Sequence, residues 1–175
     1  MRILAGSLKG QKILIPKGIR VTRPLVRKVM FDILPDLTGC LFLDICAGSG
    51  SVGLEAISRG AQRVWFVEKN PRVARVLRSN IQRLEIGERV RVVIGDAVKV
   101  LKTLKSDFDI VHLDPPYRSR LLSTLLPEIA RLNLLRTDGI VVVESSRRTT
   151  FSSAPFQVEK RRIIGETVLS FLSRS

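Results

Sequence analysis

Two hydrophobic patterns alternate between residues 41 and 144. Short apolar runs at 41–45, 64–67, 90–94, 108–113 and 140–144 are separated by stretches in which apolar residues return every three or four positions. The runs read as strands buried on both faces and the stretches between them as helices. One such stretch carries Val73, Val76, Leu77, Ile81 and Leu84 as its core stripe. Asn70 serves as its N-cap, Pro71 stands at its first position, and Gly87 follows its end. Further helices are expected over 52–59, closed by Gly60, and over 97–104 and about 120–134, with Asp138-Gly139 turning into the next strand. Strand alternating with helix predicts an α/β chain built on a mostly parallel sheet. The pattern changes after a Ser/Arg/Thr-rich stretch. Residues 156–164 and 167–172 flank Gly165-Glu166 and read as an antiparallel hairpin rather than another crossover unit. Residues 1–38 form an extension ahead of the domain at 39–175. It holds a hairpin pairing Ile3-Leu4 with 12–15, a basic loop, and a helix over 25–34.

Two strand exits carry chemistry. The run at 108–113 ends in Asp114-Pro115-Pro116-Tyr117, and two prolines cannot continue a central strand because neither donates to the ladder. The chain leaves the sheet there with a carboxylate and an aromatic ring, at the edge where open α/β sheets bind ligands. An acceptor beside a stacking ring suits a flat substrate bearing an NH2 group, which points to a nucleobase. The run at 41–45 opens into Cys46-Ala47-Gly48-Ser49-Gly50-Ser51-Val52-Gly53, a glycine-rich turn into a helix. Gly48, Gly50 and Gly53 satisfy the dinucleotide fingerprint, and Glu68, eighteen residues after Gly50, satisfies its ribose-acid clause. By that pattern alone NAD and S-adenosylmethionine are not separable. Asp44 inside the first exit, with Asp96 and Ala97 after the strand at 90–94, weighs toward a cationic cofactor. Asp44, Glu68, Asp96 and Asp114 would form an acidic rim that repels a pyrophosphate. Asp96 is equally an N-cap for the helix that follows it.

Composition adds a polyanion partner. The chain of 175 residues carries 30 Lys+Arg against 16 Asp+Glu, a net charge of +14, with 45% hydrophobic residues to build a core. Residues 1–39 hold eight of the cations and only Asp32 and Asp36 as acids. Cys40 and Cys46 lie roughly 20 Å apart along an extended strand, beyond disulfide reach. No metal-ligand spacing exists, and the single histidine, His112, sits inside an apolar strand as a core residue would. No apolar run is long enough to span a membrane and no signal-peptide core opens the chain, so a cytoplasmic protein is expected.

The ordered motifs resemble the class I S-adenosylmethionine-dependent methyltransferases. Among these the chain is similar to the bacterial family that methylates the exocyclic N2 of a guanine in small-subunit (16S) ribosomal RNA, the guanine-966 type. The likeness is carried by Arg2 to Gly6, Lys9-Gly10-Gln11-Lys12, Ile19 to Thr22, Val26-Arg27 with Met30-Phe31, Asp44 through Ala56, Asp114 through Tyr117, and Val143-Glu144-Ser145. Val21 stands where that family usually has proline, and Lys28 where it usually has an acid. The resemblance implies a Rossmann-like, seven-stranded sheet ending in an antiparallel hairpin. Asp44, Ala47, Gly48, Gly50, Glu68, Asp96 and Ala97 would hold S-adenosylmethionine. Asp114 and the Pro115 carbonyl would accept from the target amine, Pro116 would stiffen the loop, and Tyr117 would stack on the base. Lys9, Lys12, Arg20, Thr22, Arg23 and Arg27 would contact RNA, either ribosomal RNA or a small-subunit assembly particle, and the protein would act as a monomer. Two alternatives stay open on sequence: an N6-adenine methyltransferase, and a non-catalytic RNA-binding assembly factor on the same fold. An NAD enzyme is a weaker third, because no second catalytic domain is present.

Overall fold

The structure, a computed structural model, describes residues 1–116 and 119–174. Its element order is α1 (Pro24–Ile33), β1 (Leu41–Ile45), α2 (Ser51–Ser58), β2 (Arg63–Glu68), α3 (Pro71–Arg83), β3 (Val90–Ile94), α4 (Ala97–Leu101), β4 (Phe108–Leu113), α5 (Leu121–Arg131), β5 (Leu135–Ser146), β6 (Phe156–Ile164) and β7 (Thr167–Arg174). The seven strands form one sheet in the order β3-β2-β1-β4-β5-β7-β6. β1 to β5 run parallel, and β7 enters antiparallel between β5 and β6. This is the expected α/β arrangement with its terminal hairpin. Two elements differ from expectation. α4 stops at Leu101, and β5 starts at Leu135 rather than 140, because residues 136–139 bulge between the pairs Phe108–Leu135 and Ile110–Ile140. No helix among the described residues is long and apolar enough to cross a membrane.

Side-chain parity explains how the sheet is buried. Phe42, Phe66, Ile110 and Val142 face α1, α2 and α3, packing with Met30, Leu54, Ile57 and Leu77. Their neighbours Leu43, Val67, Val111 and Val141 face α4 and α5, packing with Leu101, Leu122, Leu125 and Ile129. Both faces are dry, so the strands read as unbroken apolar runs rather than alternating ones. The same parity carries a polar row. Asp44 lies two residues past Phe42, His112 two past Ile110 and Glu144 two past Val142, so all three project from the α1–α3 face near the strand ends. Asp44 is directly opposite His112, and His112 opposite Val142.

The extension covers that face. Residues 1–13 pair as a small hairpin through one bridge, Arg2 to Lys12, with Ile3 N–H to Gln11 O at 3.0 Å and Ile13 N–H to Met1 O at 2.8 Å. The expected pairing of Ile3-Leu4 with 12–15 is corrected, because the Leu4 and Leu14 amides turn to helix side chains instead. Helix polar groups receive it. Glu55 on α2 accepts from the Leu4 and Ala5 amides at 2.8 and 3.0 Å, and Asn80 on α3 accepts from the Leu14 amide at 2.8 Å. Gly6, at φ +81°, passes so close to α2 that a Cβ would stand 1.8 Å from Ser58 O. Pro24 then starts α1, which buries Val26, Met30 and Phe31.

Candidate active site

The direction of strand succession reverses between β1 and β4, and the crevice outside the carboxyl ends of those strands is where such sheets bind ligands. A cavity of about 670 Å3 opens there. Gly48, Glu68, Asp96, Ala97, Asp114, Pro115 and Pro116 line it, with Arg20 arriving from the extension. Apolar walls come from Ile19, Val67 and Leu121. A volume of that order with a few convergent polar groups is typical of a small-molecule site. Tyr117 lies outside the described residues.

Glu68 is held ready. One of its oxygens accepts from the Gly48 amide at 2.9 Å and the other from the Asn70 amide at 2.8 Å. Each carboxylate oxygen keeps a further lone pair for a ligand hydroxyl. Asp96 caps α4 by accepting from the Lys99 amide at 3.4 Å and pairs with Lys69 at 3.5 Å. Its cap bond to Lys99 holds its carboxyl below the ordinary range. Cys46 also lines the cavity, and burial, reinforced by Glu68 and Asp114, pushes its thiol up to about 12, so it stays neutral.

Asp44 at the end of β1 and two residues of the glycine-rich turn, Ala47 and Gly50, stand back from the main cavity. Asp44 is 1% exposed, with one oxygen accepting from the Gly53 amide at 3.0 Å and the other 2.8 Å from His112 Nδ1. It lines the small polar cell beside the main cavity. It also answers the amino-terminal amides of α2, so a pyrophosphate would find a carboxylate already there. Gly50 faces the core rather than the cavity: it caps α2 at φ +81°, and a Cβ would stand 2.3 Å from Leu77 and 3.3 Å from Phe66. Ala47 lines a small polar cell of about 20 Å3 beside the main cavity, together with Thr22, Ser49, Asp44 and His112.

Around Asp114 the structure gathers more charge than expected. Glu144, 1% exposed, receives Arg20 at 2.8 Å on one oxygen and the Thr22 hydroxyl at 3.0 Å on the other. Burial and the neighbouring Glu144 carboxylate push Asp114 up to about 7, against the pull of His112 and Arg20. His112 sits among these carboxylates, with its Nδ1 2.8 Å from Asp44. Burial opposes its protonation, but Asp44, Asp114 and Glu144 together outweigh burial and hold its pKa above the ordinary value. Its Nε2 and the Ser49 hydroxyl have no hydrogen-bond partner among the described residues. Glu144 and His112 were not expected as site residues. Strand parity was the available signal, since each acid or imidazole ends an apolar run two residues past a core position.

The expected RNA contacts require correction. Arg27 is 0% exposed; it lies 3.3 Å from Glu55 and donates to Arg2 O at 2.6 Å, so a phosphate cannot reach it. Thr22 is 4% exposed and spends its hydroxyl on Glu144. Arg23 donates to Ile164 O at 2.8 Å, latching the extension to the β6–β7 turn. Arg20 stands at the cavity mouth, paired with Glu144. Lys9 and Lys12 are exposed and lie outside the cavity.

The site compares with known proteins along nearly its whole chain. A family model described as "Conserved hypothetical protein 95" matches residues 1–173. A Bacillus subtilis protein named "Putative rRNA methyltransferase YlbH" is 32% identical over 97% of this chain and 91% of its own length. The Haemophilus influenzae "Ribosomal RNA small subunit methyltransferase D" is 33% identical over 84% of this chain and 79% of its own. Among solved structures, "Putative methyltransferase yhhF from Escherichia coli" superposes with a TM-score of 0.91 at 30% identity, covering 100% of this chain and 98% of that one.

Proposed function

The chain belongs to the Conserved hypothetical protein 95 family, and from that premise we propose that it is an S-adenosylmethionine-dependent ribosomal RNA methyltransferase acting on the exocyclic N2 of a guanine in the small-subunit RNA. Its relatives carry rRNA methyltransferase names. The observation that carries the finer reading is Asp114, an acceptor on the cavity wall whose carboxyl burial and Glu144 hold near neutrality. S-adenosylmethionine supplies an electrophilic methyl group on a cationic sulfonium. The chain offers it an acidic, partly apolar cavity in which Glu68 and Asp96 suit ribose hydroxyls and α-ammonium.

Asp114 does the rest. A guanine amine shares its lone pair with the ring and is a poor nucleophile. Accepting its N–H bonds at Asp114, with the Pro115 carbonyl, pyramidalises the nitrogen and localises that pair. Moving the methyl group would break its bond to the sulfonium sulfur, which leaves as a neutral thioether, so the amine would take the positive charge and must lose a proton. A carboxylate with a pKa of about 7 is matched to take it. Pro115 and Pro116 keep this acceptor from following backbone motion.

Mass mapping of methylated nucleosides, with Asp114→Asn as the companion variant, tests the reading. Wild-type protein should produce N2-methylguanosine in small-subunit RNA. The variant should lose at least about a hundredfold in turnover, the usual scale for a general base, with cofactor affinity kept within a few-fold. N6-methyladenosine as the product would move the target to adenine, and near-normal turnover by the variant would remove Asp114 from the chemistry.

A further inference from the structure

A second groove runs away from the catalytic tetrapeptide over the terminal hairpin. Its volume is about 310 Å3, and its walls are Ser145 and Arg147, the loop residue Phe151, Arg161 and Ile163 of β6, and Ser170 of β7. Register explains why these side chains share a face. Val143 opposes Ser170, which opposes Arg161; Ser145 opposes Val168, which opposes Ile163. The groove neighbours the active site, and only a closed crease with no room for water lies between them. That crease shares Ser145 and Thr149 with the groove and shares Pro115, Pro116 and Ser119 with the main cavity.

The chemistry of the groove is polyanionic in preference. Residues 147–163 hold five cations, Arg147, Arg148, Lys160, Arg161 and Arg162, against the single acid Glu159. None of the five forms an ion pair among the described residues. Ser170 is 1% exposed, lines the groove, and its hydroxyl has no hydrogen-bond partner among the described residues. Ile163 stands 62% exposed beside it. Cations along an edge strand guard against edge-to-edge pairing. That role does not account for Arg147, just past the end of β5, or for an unpartnered buried hydroxyl lining the groove.

We infer that this groove takes the sugar–phosphate backbone of the single-stranded RNA flanking the target base, with Arg147 and Arg161 on phosphates, Ser170 toward a ribose hydroxyl, and Phe151 with Ile163 against a base or ribose face. The assignment rests on the proposed RNA methyltransferase activity. A base extruded into the cavity brings its neighbouring phosphates over the surface beside the cavity, and this basic groove lies on that surface.

The test compares wild type, Arg147→Glu/Arg161→Glu and Arg147→Lys/Arg161→Lys in RNA affinity across a salt series, methyl transfer, and S-adenosylmethionine affinity. The glutamate pair should weaken RNA binding tenfold or more at about 0.1 M salt and flatten the log–log salt slope by about 1.4–1.8, the value for two phosphate contacts. Cofactor affinity should stay unchanged, and the lysine pair should keep the salt slope. Wild-type protein photo-crosslinked to RNA carrying 4-thiouridine beside the target should give adducts within 147–151 and 161–163. If wild type methylates RNA while the glutamate pair keeps its affinity and slope, or if adducts fall only within residues 1–20, the groove assignment is overturned alone. A wild type that transfers no methyl group to RNA overturns the activity and the groove together. A concentration-dependent dimer whose interface protects Ile163 overturns the groove in favour of a second copy of the chain.

Discussion

Residues 20–27 and residues 147–162 are both arginine-rich, and the two segments spend their charge in opposite directions. Arg20 closes on Glu144, Arg23 on the Ile164 carbonyl and Arg27 on Glu55, so each arginine of the first segment fastens the extension to the domain. In the second segment Arg147, Arg148 and Arg161 have no acid partner among the described residues, and Arg147 and Arg161 border an open groove. Net charge counts both alike. In the first set Arg27 and Arg20 are already paired with carboxylates and Arg23 is tethered to an uncharged carbonyl, whereas the second set is the one open to release counterions from a polyanion.

Breaking the inward set should cost stability, beginning with its most buried member. Arg27→Ala removes the fully buried partner of Glu55, which keeps Arg59 at 2.9 Å and the Leu4 and Ala5 amides. A loss of about 3 kcal/mol, the low end for a broken buried pair, is therefore expected from denaturant midpoints. The RNA salt slope of the folded variant should match wild type. A stable variant with a flattened slope would return Arg27 to the RNA surface.

Arg20 sharpens the comparison through pH. It pulls Asp114 down and Glu144 pushes it up, around a value of about 7. The acceptor works ionised, so the pH profile of kcat/KM should rise through that region. Arg20→Ala should move this acid limb to higher pH and Glu144→Gln to lower pH, each by about one unit, the scale of a single nearby charge. Limbs that move together, or not at all, would detach Asp114 from the profile. Stability runs the opposite way with pH. A carboxyl with a folded value raised from 3.8 to about 7 favours the fold at low pH and gives up that contribution as pH rises between the two values. Asp114→Asn should abolish that decline.

Arg23→Ala has the smallest expected effect. Losing one exposed bond to the Ile164 carbonyl should cost about 1 kcal/mol or less, read as a lower denaturant midpoint with an unchanged salt slope.

Much of the fold was legible because its signals are local. Apolar runs buried on both faces, Asn70-Pro71 opening α3, and Gly165-Glu166 joining β6 to β7 each depend on a few adjacent residues. Asp114 to Pro116 were legible for the same reason, since prolines ending a buried strand must carry their neighbours out at its carboxyl edge. Illegible were the partners of long-range charges. Glu144 sits 122 residues from Thr22 and 124 from Arg20, and Arg23 donates 141 residues away. Gly50 fits a cofactor fingerprint by spacing, yet Leu77 and Phe66 occupy the space in front of it.

By itself, then, the order of residues determined which strands form, where the chain leaves the sheet, and which carboxylates stand at that edge. Parity and proline chemistry act over a few positions and need no knowledge of neighbours. Only the tertiary structure decided which charges were spent. A cation's availability depends on whether folding brings a carboxylate or carbonyl within hydrogen-bond reach, and burial then removes the water that would otherwise make that pairing unimportant. Arg27 and Arg161 are the same side chain in sequence; one is 0% exposed against Glu55, and the other borders a groove with no acid partner among the described residues.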